Sequence, residues 1–187
     1  MGGLICLLAA VVLPIGWMIA IHNRIIALRN HLRNAWAQID TELKRRHDLI
    51  PNLVETVKAY ATHERDLFER IAEARNLAES DRVRPGVHTQ NEKQVTQDLG
   101  RLMAVSEAYP DLKASEHFLR LQEELVETED RIQLARRFYN GNVRDWNTLI
   151  ESFPSMLVAR AQGCEAENYF DVNRVVVSSV PEVNWKD

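Results

Sequence analysis

The chain has 187 residues, with 23 Lys and Arg against 27 Asp and Glu, and a formal charge of −4. That mildly acidic balance, without a basic stripe, argues against nucleic acid as a ligand. Its two cysteines, Cys6 and Cys164, give no disulfide framework, and the long stretches rich in Glu, Arg, Leu and Ala have the composition of a helical bundle.

Residues 2–21, GGLICLLAAVVLPIGWMIAI, carry no charged side chain, and no Asp, Glu, Lys or Arg precedes Arg24. At ~1.5 Å per residue this run spans ~30 Å, the thickness of a bilayer's hydrocarbon core, so residues 1–22 are predicted to be a transmembrane anchor embedded in lipid through residues 2–21. Pro14 and Gly16 are tolerable there because neighbouring groups in a membrane satisfy the freed backbone. A cleaved signal peptide is the rival reading. It needs a basic start and a small-residue cleavage site, whereas Met1-Gly2-Gly3 has no basic side chain and Met18 to His22 is a poor site. Arg24, Arg29, Arg33, Lys44, Arg45 and Arg46 follow the span, a bias that places the C-terminal domain in the cytoplasm.

Apolar residues then recur at helical spacing. Ile25, Leu28, Leu32, Ala35, Ile39 and Leu43 form one stripe. Asp48-Leu49-Ile50-Pro51 reads as a new helix start, with Asp48 as N-cap and Pro51 in the first turn. The second stripe takes in Leu53, Val54, Val57, Tyr60, Ala61, Leu67, Phe68, Ile71, Ala74 and Leu77. Ser80 to Glu92 has no stripe and contains Pro85-Gly86, so it is predicted to be a loop. A third helix is expected from about Glu92 to Tyr109, with Val95, Leu99, Leu102 and Val105 inward. The longest pattern begins at Ser115, with Phe118, Leu121, Leu125, Thr128, Ile132, Ala135, Tyr139, Trp146, Ile150 and Phe153 inward. It resumes in phase after Asn140-Gly141-Asn142, which predicts one continuous helix ended by Pro154. Glu129 falls on its wetter face. Four helices with one apolar face each can bury those faces only against one another, so residues 23–170 are expected to be a four-helix bundle. Residues 171–187 read as a loosely structured C-terminal tail, with a short extended segment over Arg174 to Pro181.

Three ordered blocks carry a resemblance. Asn34-Ala-Trp36-Ala-Gln38-Ile-Asp40 with Leu43 to Val54 is the first, Ser106 to Ala114 the second, and Ala135-Arg136-Arg137-Phe138-Tyr139-Asn140 with Trp146-Asn147 and Phe153-Pro154 the third. Together they resemble the LemA family of bacterial membrane proteins over Asn23 to Phe170. The resemblance implies an all-α protein, with an N-terminal membrane anchor followed by an antiparallel four-helix bundle, in the bacterial cell (inner) membrane. It implies no enzyme activity. The chain departs from the family pattern at His47, Trp146 and Cys164, where alanine, tyrosine and phenylalanine are usual.

Asp40, Arg45, Arg46, Asp48 and Asn52 crowd polar groups around the expected first interhelical turn, and Arg136, Arg137 and Asn140 do so along the last helix. Helix caps, i,i+4 pairs and bundle register explain such residues, and a polar ligand pocket is the alternative. No histidine has a glutamate three places before it, no His-Glu-x-x-His or Cys-x-x-Cys occurs, and each histidine is read as a solvated helix position. No metal site and no cofactor is therefore expected. Nor is there a Gly-x-Ser-x-Gly elbow or a glycine-rich phosphate loop. The expected function is non-enzymatic, an interaction or scaffold module that holds a protein partner at the membrane, with self-association left open. The alternative is a bundle that binds a small molecule or peptide through its polar cluster and signals to a partner.

Overall fold

A single helix, α1 (Gly2–Lys58), carries the apolar N-terminal run straight into the folded domain. Its 57 residues reach about 85 Å at 1.5 Å per residue. The computed structural model describes residues 2–61, 63–80 and 89–170, and every element among them is helical. After α1 come α2 (Arg65–Ser80), α3 (Thr89–Ser106), the single turn α4 (Pro110–Lys113), α5 (Glu116–Glu151) and α6 (Ser155–Ala161). The predicted 171–187 tail, including its extended segment, and residues 81–88 of the predicted loop lie outside the described residues.

The helix start expected at Asp48 does not exist. Pro51 sits inside α1 and Asp48 is exposed, capping nothing. Proline lacks the N–H that would bond the carbonyl four residues back, which leaves the oxygen of His47 without its helical donor. Arg75 of α2 supplies one instead, its Nε lying 3.0 Å from that oxygen. Helix α1 ends later, past Lys58, where the amides of Tyr60 and Ala61 both bond the Val57 carbonyl. The second stripe is therefore shared between the end of α1 and α2, and Tyr60 and Leu77 are exposed. Helix α3 starts early enough to place Glu92 in its first turn, not in a loop.

Helix α5 is continuous over 36 residues, as its stripe predicts. Ser115 caps it by accepting from the amide of Phe118, and α5 runs on through the half-buried Gly141, where an added Cβ would meet nothing within 4 Å. The inward residues from Phe118 to Ile150 are buried. Phe153 is not: it is 78% exposed, because the helix stops at Glu151 and the chain turns before α6.

Two apolar clusters form the core. In the first, Ile50, Leu53 and Val57 of α1 meet Phe68 and Ile71 of α2, Leu99 and Leu102 of α3, Leu112 of α4 and Phe118 and Leu121 of α5. In the second, Ile25, Ala35, Ile39 and Leu43 of α1 meet Ile132, Tyr139, Val143 and Trp146 of α5 with Val158 and Ala159 of α6. The register along the α1–α5 seam is even: Arg29 lies on Trp146, Trp36 on Tyr139 and Arg46 on Glu129.

Candidate functional site

Two polar arrays occupy this seam. The first centres on Arg46, which is 0% exposed. A fully buried guanidinium requires partners for its charge and its donors. Helix α3 brings Glu92, whose carboxylate pairs with Nη2, and Thr96, whose hydroxyl lies 3.0 Å from Nη1. Helix α5 brings Glu129, 2.6 Å from Nη1. The other Glu92 oxygen lies 3.1 Å from Nε2 of His47, and both side chains are only 1% exposed. One arginine thus ties three helices together. Glu129, expected on a wetter face, is a member of this array, and His47 is buried and not solvated.

The second array holds the C-terminal segment. Gly163, at φ 63°, closes α6, with its own amide bonding Arg160 and the amide of Cys164 bonding Ala159. That left-handed residue reverses the chain, which then runs back along α5 as a strap over 164–170. Trp146 Nε1 donates to the Glu165 carbonyl at 2.9 Å. Asn147 accepts from the amide of Glu167 and donates to its carbonyl, both at 2.9 Å. Asn140 does the same for Phe170, at 2.8 and 3.0 Å. The spacing explains the fit. Seven residues of helix rise about 10.5 Å, and three extended residues cover about 10 Å, so a heptad of asparagines matches every third strap residue.

Aromatic rings complete the dock. Trp36 meets Tyr139 edge-on at 5.6 Å and Phe170 at 6.0 Å, and the Arg136 guanidinium stacks 4.7 Å from the Phe170 ring. Arg29 lies 5.6 Å from the Trp146 ring and donates to Cys164 Sγ at 3.5 Å. Burial holds the Arg136 pKa below its ordinary value, with Arg46 pushing the same way and Glu129 opposing. Burial raises that of the Tyr139 hydroxyl, and the charge of Glu167 adds to the effect.

The residues singled out from the sequence divide accordingly. Arg46, Arg136 and Asn140 lie in or beside these arrays. Asp40 and Arg45 are half-buried on α1, whereas Asp48, Asn52 and Arg137 face outward, so the expected polar crowd at a first turn disperses along a continuous helix. Sequence reasoning missed Glu92, Thr96 and the clamp role of Asn147. Only the last left a usable trace, an asparagine one heptad from Asn140.

These observations define a class: a protein helical in every described element, whose long N-terminal helix runs from an apolar stretch into the core and whose strap over 164–170 is clamped by side-chain amides. The chain belongs to the LemA family, whose family model matches residues 35–185. It is similar to Protein LemA of Metamycoplasma hominis, 27% identical over 138 residues that cover 74% of this chain and 63% of that protein. It is also similar to Magnetosome protein MamQ 2 of Paramagnetospirillum magneticum, 38% identical over 72 residues. Magnetosome protein MamQ of Magnetospirillum gryphiswaldense is 33% identical over the same length, and each magnetosome match covers 38% of this chain and 26% of the relative. The matches therefore take in less than two thirds of the length of each of these relatives.

Proposed function

We propose that this protein is a single-pass anchor that holds a non-enzymatic helical interaction module at the bacterial cell membrane, with the module on the cytoplasmic side. The observation that carries this reading is α1, whose apolar residues from Leu7 to Ile19 lie exposed while the same helix continues into the core without a break. An exposed apolar face of that length is stable only when lipid or another apolar surface covers it. The arginines that follow the apolar run support the cytoplasmic placement.

In this reading α1, α2, α3 and α5 form an antiparallel four-helix bundle. The even pairing of Arg29, Trp36 and Arg46 with Trp146, Tyr139 and Glu129 supports opposite directions for α1 and α5. Partner binding falls to the outer faces, among them an open groove between α1 and α5 lined by Gln38, Thr41, Arg131, Leu134 and Phe138. The closed environment of Arg46, His47 and Glu92 favours a structural role for that array over a ligand pocket. Affinity capture from detergent-solubilised membranes tests the reading. Capture of a defined partner by the full chain, lost in a Leu134→Glu, Phe138→Glu variant of unchanged helicity, is the expected result. Capture unaffected by that pair removes this face from the reading. A reporter fused after Asp187 that is active only outside the cytoplasm overturns the topology.

A further inference from the structure

The even register of the α1–α5 seam has a measurable continuation. Between Trp36–Tyr139 and Arg29–Trp146 each helix advances seven residues, and five more bring Arg24 level with Glu151, the last residue of α5. The turn at Ser152 to Pro154 therefore stands level with residues 21–23, where the apolar run of α1 gives way to charge. Helix α6 starts from this turn and packs Val158 and Ala159 on the cluster that contains Ile25, with Ile21 and Leu28 against it.

Phe153 is 78% exposed and Leu157, in the first turn of α6, is 55% exposed. Ile26, close to this height on α1 by the same register, is exposed, and so are Arg24 and Arg160. An aromatic and aliphatic residues flanked by arginines, at the height where a span leaves the hydrocarbon, have the chemistry of an interfacial anchor. We infer that the turn 152–154 and the first turn of α6 rest in the phospholipid interface, with Phe153 and Leu157 in the acyl boundary and Arg24 and Arg160 at the headgroups. The domain then touches the membrane at a second point, which fixes its orientation on the bilayer. This inference rests on the membrane-spanning reading of α1.

Depth measurement tests both and separates them. Full-length protein with Cys6→Ser and Cys164→Ser is spin-labelled at a single cysteine replacing Phe153, Leu157, Val12 or Leu134. It is then reconstituted in vesicles of phosphatidylethanolamine and phosphatidylglycerol, and the label's collision with oxygen is compared with that of a water-soluble nickel chelate. The expected result is an oxygen-to-nickel ratio at positions 153 and 157 shifted toward that of Val12 and away from that of Leu134. Water-like ratios at 153 and 157, with Val12 shielded, overturn the interfacial contact and leave the span intact. A water-like ratio at Val12 overturns the span and this inference with it.

Discussion

Arg46 is the side chain on which the most local structure depends, because its charge is compensated from two other helices. Arg46→Met leaves the Glu92 carboxylate buried beside His47 without its cation, at an expected cost of about 3–5 kcal/mol. Adding Glu92→Gln to that variant restores part of the loss, which chemical denaturation in a double-mutant cycle measures. Glu129→Ala removes only the half-buried partner and is expected to cost about 1–3 kcal/mol, where a surface glutamate costs less than about 0.5. Tyr139 adds a dependence on pH. Its pKa is raised in the folded chain, so the fold favours the protonated phenol. The stabilisation is complete below the ordinary value of about 10 and is lost as pH rises through the folded value. Melting temperatures followed into alkaline pH are thus expected to fall more steeply for the native chain than for Tyr139→Phe.

Among the elements, α5 and its strap give the clearest test. Gly141→Ala places a methyl in open space on a continuous helix and is expected to stabilise by about 0.5–1 kcal/mol. A destabilisation of that size in thermal unfolding would mean that α5 bends at Asn140-Gly141. Asn140→Ala removes both bonds to Phe170, and amide exchange at residues 167–170 is expected to accelerate while exchange in α3 stays unchanged. The stripe of α5 was legible because its buried positions repeat on one face over about nine turns, and the spacing picks out all of them but Val143 and Leu149. Two features were not. The break at 59–64 contains neither glycine nor proline, while Pro51 advertises a break that Arg75 makes unnecessary. The strap was illegible for a different reason: its bonds are made by backbone groups, so its own side chains carry no periodic signal. The Arg46 array shows the same limit from the other side, since nothing local to Glu92 marks it as buried.

At the scale of the molecule, removal of residues 1–21 is expected to release a soluble, strongly helical domain, because both core clusters are built almost wholly from residues beyond the run. Recovery only as aggregate, or with a sheet-type circular dichroism spectrum, would contradict this architecture. The unbroken α1 has one more consequence, and it concerns phase. A helix without a hinge behaves as an axle, so adding one residue between Ile21 and Ile25 turns everything beyond it by about 100° and advances it by about 1.5 Å. With one residue added, Phe153 and Leu157 swing around the axle while the span stays seated. Four added residues leave a turn of only about 40° but raise the domain by about 6 Å. Insertions at this junction thus weight azimuth and height differently, and labels on α6 should follow mainly the first at one residue and mainly the second at four.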